Sequence, residues 1–452
     1  MTRTVRSRLK TGVALVAIVA QLGLCAGSAQ AFCGFYVAKA DAKLFNKSSK
    51  VVLARTGDET AITMASDYEG APSEFALVVP VPTFIEKDKI SVVEAATVDH
   101  LDAYTAPRLV EYFDPDPCPS PPRVSALSMD AGKAMQTAAV PAPMPTAYRG
   151  VKVEARYDIA EYDVSILSAE ESDGLINWLT DNGYKIPAGA EPVIGSYIKQ
   201  KMHFFVAKVN VRRMEQMGRA FLRPLQVRYN TAKFMLPLRL GTVNANGPQD
   251  LIVFALSKRG RVEATNYRTV KVPSDITVPL FVKDDFANVY KAAFDRAVER
   301  ENMRGVFVEY AWDMGWCDPC AADPMSGREM ADLGAGWNDN SGVSNTATVR
   351  PSLSASPTNA YVTRLHVRYD SKSFPEDLSF IETADRENFQ GRYILQHPYQ
   401  GAMSCSAGDE YRASLPARFK IEAETLARLT GWSLKDIETR MAANGQPVSA
   451  GK

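Results

Sequence analysis

VVLARTGDETAITMASDYEGAPSEFALVVPV, residues 51–81, contains three apolar runs that alternate with turn signals. The runs begin at Val51, Thr60 and Phe75, and Gly57-Asp58 and residues 69–72 separate them. Short apolar runs bounded by Gly, Pro and Asp are typical of strands joined by turns. The stretch therefore predicts three consecutive strands in a sheet-rich domain.

Two later segments repeat one strand-then-turn pattern. LQVRYNTAKF at 225–234 matches LHVRYDSKSF at 365–374, with Leu, Val, Arg, Tyr and Phe at corresponding places. Because side chains alternate between the two faces of a strand, Leu, Val and Tyr share one face and Arg points to the other. The match predicts two similar strands. An internal duplication is a further hypothesis, since short strands can look alike by chance.

Helical patterns lie between and after the strands. An apolar stripe from Asp284 to Asn302 predicts a helix that packs against a sheet. Ser168 with Glu171 resembles a capping box at the start of a helix over 168–182. Two further helices are predicted over 421–429 and 433–443, with a break at Gly431.

These patterns predict an α+β protein that is sheet-rich and mainly antiparallel, with helices packed on or beside the sheets. The interval 119–148 has scattered prolines and almost no charge, so we interpret it as a Pro- and Ala-rich disordered linker. The predicted organisation is a signal peptide over 1–31, an N-terminal sheet-rich part over 32–118, this excursion over 119–148, a main α+β body over 149–414, and C-terminal helices with a polar tail over 415–452.

The first 31 residues have the zones of a secretory signal peptide. Four basic residues precede an apolar run from Gly12 to Leu24, and Ala29-Gln30-Ala31 ends the leader with small residues. This order predicts export to the periplasm or the extracellular space, with cleavage near Ala31 and before Phe32. Lipidation at Cys25 is the weaker alternative, because the leucine before it is bulkier than the residue expected there.

The mature chain has a mild net charge and an ordinary globular composition. Without the leader it carries 48 basic residues against 52 acidic ones, and 46% of the whole chain is hydrophobic. A nucleic-acid-binding protein needs a basic excess or a dense basic patch, so this class is excluded. No apolar run reaches the roughly 20 residues of a membrane span, so we predict no transmembrane segment after cleavage. The sequence identifies no partner more specific than a component of the cell envelope.

Five cysteines remain after cleavage of the leader, and all of them are disulfide candidates: Cys33, Cys118, Cys317, Cys320 and Cys405. Disulfides are the default in an oxidising compartment, and an odd count leaves one thiol over or pairs it outside the chain. The sequence does not determine the connectivity. The pairing that we favour joins Cys33 to Cys118 and forms a second bridge among Cys317, Cys320 and Cys405.

Trp316-Cys317-Asp318-Pro319-Cys320 follows a predicted strand over 306–312. In thioredoxin-like enzymes the same spacing lies at the start of a long helix, whose positive end lowers the pKa of the first thiol. The next helical pattern here, Ser326 to Leu333, is short, so a structural disulfide is favoured over redox chemistry and over metal binding. A zinc site would need two more ligands, and no second closely spaced Cys or His pair supplies them.

The chain has four histidines, His100, His203, His366 and His397. One interpretation makes His100 a general base oriented by a neighbouring carboxylate, but a surface helix residue with local ion pairs is favoured. His203 is predicted inside a strand, His366 on the strand face opposite its leucine and valine neighbours, and His397 at a strand end. We predict no catalytic, cofactor-binding or metal-binding residue and no cofactor.

Five short segments carry a resemblance to a known family: Phe32–Val37, Phe75–Pro82, His100–Tyr104, Asp318–Cys320 and Asn388–Tyr393. Through them the chain resembles the uncharacterised bacterial family called domain of unknown function 2330. That family carries no established activity, so the resemblance implies export and a single-family body and assigns no catalytic residue.

The sequence favours an exported, non-enzymatic binding or structural protein of the envelope or the extracellular space. The reason is a large sheet scaffold without a constellation of acid, base and nucleophile. The alternative is a thiol–disulfide redox protein that uses Cys317 and Cys320. A third class is a hydrolase with a site assembled from distant carboxylates.

Overall fold

The computed structural model describes residues 35–39, 45–69, 75–118, 151–187, 189–218, 221–243, 247–316, 323–338 and 359–449. The predicted leader and the predicted excursion over 119–148 lie outside these residues, as do Cys33, Cys317 and Cys320.

A large sheet of nine strands forms the centre of the described chain. Eight of them lie in the spatial order β15 (Arg268–Lys271), β17 (Gly305–Asp313), β18 (Tyr361–Tyr369), β13 (Gln249–Ser257), β2 (Phe45–Thr56), β3 (Glu59–Glu69), β11 (Leu225–Asn230) and β5 (Ile90–Val92), and β20 (Phe389–Gln390) pairs with β17.

A second, antiparallel sheet of six strands faces the large one. Its spatial order is β7 (Val151–Ile159), β8 (Tyr162–Ala169), β10 (His203–Val209), β4 (Phe75–Val81), β1 (Phe35–Lys39) and β9 (Tyr184–Lys185). Two three-stranded sheets lie beside these, one of β12 (Met235–Leu236), β19 (Leu378–Glu382) and β14 (Val262–Ala264), the other a parallel sheet of β16 (Ile276–Val278), β21 (Arg392–His397) and β6 (Arg108–Phe113).

Nine α-helices occur within the described ranges: α1 (Ala95–Thr105), α2 (Ser172–Asp181), α3 (Ala190–Lys199), α4 (Val211–Gln216), α5 (Arg239–Val243), α6 (Phe286–Arg300), α7 (Gly327–Asp332), α8 (Ser406–Thr430) and α9 (Leu434–Ala443).

Strand alternation explains why the two main sheets pack as inner layers. Val51 and Leu53 of β2 point into the core between the sheets, whereas Val52 and Ala54 point to the outer face of the large sheet. Helices α1, α6 and α7 cover that outer face, and α2 and α3 cover the outer face of the six-stranded sheet. The result is four layers in the order helix, sheet, sheet, helix, which confirms the predicted sheet-rich α+β class.

Several element predictions are confirmed. The three strands of residues 51–81 are present, and α6 occupies all but the ends of the predicted 284–302 helix. Gly431 terminates α8 in the left-handed conformation, with φ of 76°. The two similar segments both form strands of the large sheet, with their Leu, Val and Tyr side chains in the same core between the sheets. Whether they arose by duplication stays a hypothesis.

Two helix starts were predicted wrongly. Ser168 lies in β8, where its hydroxyl donates to Glu154 at 2.6 Å, and α2 begins only after Glu171 without a side-chain cap. Helix α8 begins at Ser406 instead of Ile421. Its first turns are polar and contain Pro416, so the apolar pattern that predicts a helix is missing there.

Candidate functional site

The described disulfide joins Cys118 to Cys405, which lie 287 positions apart in sequence, and their Cα atoms are 6.0 Å apart. Cys118 follows β6, and Cys405 is the N-terminal cap of α8, so the bond ties the end of the parallel sheet to this helix. The predicted pairing of Cys33 with Cys118 is therefore wrong. Sequence spacing could not show that β6 and the start of α8 meet in space.

The structure places all four histidines, and three of them contact carboxylates. His100 lies on α1, where Nδ1 is 2.7 Å from Glu329 and Nε2 is 2.8 Å from the carbonyl of Asp323. Burial lowers the pKa of His100, but these two acceptors raise it more, so its pKa lies above the usual value. His100 is thus oriented by a carboxylate, although not by the sequence neighbours Asp99 and Asp102.

The other three histidines occupy the predicted positions. His203 lies in β10 and His397 is the last residue of β21, where its Nε2 is 2.7 Å from Glu111. His366 lies on the outer face of the large sheet, opposite Leu365 and Val367, as predicted. Its ring stacks on Phe294 of α6 with the ring centroids 3.7 Å apart.

His366 belongs to a buried polar cluster that joins α1 and α6 to the sheet. We call this cluster the Glu309 network; it comprises Glu309, Tyr290, His366, Arg364, Arg368, Asp250, Asp295, Asp102 and Lys50.

A β-bulge puts Glu309 into this network. Val308 of β17 pairs with Leu365 and Tyr310 pairs with Arg364, so Glu309 is the extra residue between them. The side chain of Glu309 is 1% exposed. It accepts hydrogen bonds from Arg364 Nε at 2.6 Å, from His366 Nδ1 at 2.7 Å and from the Tyr290 hydroxyl.

Arginines extend the network in two directions. Arg364 Nη1 reaches Asp102 on α1 at 2.5 Å, and Lys50 binds the other oxygen of the same carboxylate at 2.8 Å. Arg368 holds Asp250 through two hydrogen bonds of 2.7 and 2.8 Å and also binds Asp295 on α6. With His366 protonated, four cations face four carboxylates.

The electrostatics keep the carboxylates and the basic side chains of the network charged. Burial alone would raise the pKa of Glu309, but the charges on His366 and Arg364 lower it to about 2. Burial lowers the pKa of His366, but Glu309 and Asp250 raise it above the usual value. The raised pKa favours the protonated form of His366, in which it forms an ion pair with Glu309.

A second polar site lies on the same face of the sheet, where α7 packs. Two adjoining depressions of about 260 and 200 Å³ share Glu59 and Arg228 as a common wall. We call them together the Arg228 groove. Its other lining residues are Thr83, Phe84, Glu86, Lys89, Tyr229 and Asn230 in the larger depression and Ala54, Thr56, Ala61, Gly334, Gly336 and Trp337 in the smaller one.

Small residues allow the segment after α7 to lie directly on the sheet. Gly334 has φ of +99°, and a Cβ atom added there would lie 2.5 Å from the Cβ of Ala61. The close approach brings Trp337 to the edge of the smaller depression, where its indole nitrogen donates to the carbonyl of Asn359 at 3.0 Å. The ammonium group of Lys258 lies 5.4 Å from the indole ring.

The sequence contained signals for parts of these two sites. Arg228 and Arg368 were expected to point away from the core, and they do. Glu309 was missed; a single acid inside the apolar strand VFVEYAW was the signal that could have marked it. The described residues contain no group of three or more Asp, Glu, His or Cys side chains that could hold a metal ion. Across the same ranges, no helix is both long and apolar enough for a membrane span.

A family profile described as "Uncharacterized protein conserved in bacteria (DUF2330)" matches residues 27–381. The chain belongs to the DUF2330 family. The DUF2330 match includes the Glu309 network and the Arg228 groove, whereas β20, β21, α8 and α9 follow it. The segment Asn388–Tyr393, one of the five that carried the resemblance, also lies beyond the matched range. No curated protein and no solved structure matches this DUF2330 chain.

Proposed function

We propose that the chain is an exported, non-enzymatic binding or structural protein of the cell envelope or the extracellular space. The observation that carries this proposal is the charge balance of the Glu309 network. Its carboxylates and cations pair with one another and connect the sheet to α1 and α6. Such a network stabilises the positions of helices on a scaffold.

The raised pKa values of two histidines also argue against a role for either of them as a general base. A general base must be unprotonated at the working pH and must reach a substrate. His366 and His100 both have raised pKa values and both face carboxylates. A raised pKa favours the protonated ring, and a protonated ring cannot abstract a proton.

Two features support export. The leader has the charge, apolar and small-residue zones of a signal peptide. The bond between Cys118 and Cys405 is a kind of link that persists in oxidising compartments and is rare in the cytosol.

Expression of the full chain in a bacterium with a periplasm tests the proposal. We expect osmotic shock to release a protein that begins at Phe32. The matched control replaces the four basic residues of the leader, Arg3, Arg6, Arg8 and Lys10, with glutamate, which should retain the precursor in the cytosol. A wild-type protein that keeps Met1 and stays cytosolic contradicts the proposal.

The same preparation tests the redox hypothesis for Cys317 and Cys320. The strand before them is β17, and the helix after them, α7, has six residues, so the described neighbours do not supply the long helix that activates such a thiol. Alkylation with mass mapping should show the two sulfurs in one unchanging state. If they cycle with a dithiol reductant while Cys118 and Cys405 remain bonded, the chain is an enzyme and the proposal fails.

A further inference from the structure

The two similar strands, β11 and β18, place the same side chain, arginine, in two different charge environments. Arg228 of β11 corresponds to Arg368 of β18. The residue opposite Arg368 on the neighbouring strand is Asp250, and the residue opposite Arg228 is Ala61. The carboxylate that neutralises one arginine is therefore replaced by a methyl group beside the other.

A neutral side chain holds Arg228 in place. Gln226 occupies the position that His366 has in β18, and its side-chain oxygen accepts two hydrogen bonds of 3.1 Å from Arg228. The amide nitrogen of Gln226 donates to Thr63 and to the carbonyl of Asp332, both at 2.8 Å, and Gln226 is 1% exposed. These contacts fix the guanidinium group of Arg228. A guanidinium has five N–H donors, and Gln226 takes two of them, so three remain for another partner.

No carboxylate of the described residues forms an ion pair with Arg228. Two other arginines on this face of the sheet, Arg364 and Arg368, each bind two carboxylates. The space over Ala61, where an aspartate would lie if the two strands were equivalent, is the smaller depression of the Arg228 groove.

We infer that the Arg228 groove binds a free α-amino acid, with the carboxylate of the ligand on Arg228 and its ammonium group toward Glu59. The fork of a guanidinium matches a carboxylate, as the bidentate pair of Arg368 and Asp250 shows in this chain. Glu59 is exposed and lines both depressions, so a simple anion would meet a negative charge there. A ligand with both charges satisfies the two side chains, and Trp337 and Phe84 offer apolar surface for its side chain.

Calorimetric titration of the mature chain with each of the 20 common amino acids tests this inference, which rests on the proposed binding function. For the tightest ligand, we expect Arg228→Gln to weaken binding at least tenfold, since charge-assisted hydrogen bonds are lost. The affinity of Arg228→Lys should lie between those of wild type and Arg228→Gln, because lysine keeps the charge but cannot form the bidentate pair. Glu59→Gln should weaken the binding of the amino acid but not the binding of an analogue that lacks the ammonium group. Arg296→Gln on the exposed side of α6 is the matched control and should bind like wild type.

Three outcomes overturn the inference: no amino acid binds below 10 mM, Arg228→Gln binds like wild type, or the analogue without an ammonium group binds as tightly as the amino acid. If Arg228→Gln fails to fold, Arg228→Lys and the ligand analogues carry the test. An exported chain that binds no amino acid refutes this site alone. A chain that stays in the cytosol or consumes the amino acid refutes the proposed function instead.

Discussion

Glu309→Gln should strongly destabilise the protein, because it removes the anion that two buried cations share. Glu309 accepts hydrogen bonds from Arg364, His366 and Tyr290 and is almost completely buried. Removing one partner of a buried ion pair costs about 3–5 kcal/mol, because the other partner stays buried without compensation. Domains are typically stable by about 5–15 kcal/mol, so the variant should lose a large share of the total.

Urea titration of the mature, disulfide-intact chain at pH 7 measures this loss, with tryptophan fluorescence and circular dichroism as the two signals. Glu299→Gln is the control, because the exposed pair of Glu299 with Arg296 should contribute less than about 1 kcal/mol. A loss below about 1 kcal/mol for Glu309→Gln would refute the view that the network stabilises the scaffold.

The pH dependence gives a second check on the same residue. The pKa of Glu309 falls from 4.5 to about 2 in the folded protein, so the folded state binds the proton more weakly than the unfolded chain does. The stabilisation is therefore complete above about pH 4.5 and is lost as the pH falls toward 2. The free energy of unfolding should fall more steeply in acid for wild type than for Glu309→Gln. Parallel dependences on pH would contradict the lowered pKa of Glu309.

Three further predictions concern other parts of the fold. Burial raises the pKa of Glu422 from 4.5 to about 7, so the protonated carboxyl stabilises the fold in acid and this stabilisation is lost as the pH rises. Between pH 6 and 8, urea titrations should show that wild type loses about 1 kcal/mol more unfolding free energy than Glu422→Gln does. Equal losses would contradict this prediction. Gly334→Ala should lower the free energy of unfolding by about 2 kcal/mol or more, because Gly334 has a positive φ and lies against the sheet. Gly336→Ala is the control and should lower it little, since the new methyl group would meet open space. Equal losses in thermal or urea unfolding would contradict this packing. Replacing Cys118 and Cys405 with alanine should lower stability by as much as about 5 kcal/mol, since the bond closes a long loop, and an unchanged urea midpoint would contradict that bond.

Local patterns predicted the elements whose side chains follow a regular period. The alternation in residues 225–229 and the apolar stripe of α6 each identify the face that is buried in the structure. Burial of that face stabilises the strand or the helix. Gly431 was a reliable helix end because its left-handed conformation suits glycine. These signals depend only on neighbours in sequence.

The predictions that failed depend on contacts between distant parts of the chain. Ser168 resembled a helix cap, but the adjacent strand offers Glu154 as a partner and the residue joins β8. The partner of Cys118 is set by where α8 lies, which no spacing reveals. Neither polar site could be assembled from the sequence, because the bulge that turns Glu309 outward and the alanine opposite Arg228 are visible only once the strands are paired.

A non-reducing peptide map of the protein taken from its native cells, with free thiols alkylated at lysis, tests both the export of the chain and the bond between Cys118 and Cys405. We expect a mature N-terminus at Phe32 and a linked pair of peptides that contains Cys118 and Cys405. Recovery of both cysteines as alkylated thiols, in a chain that still begins at Met1, would contradict both expectations.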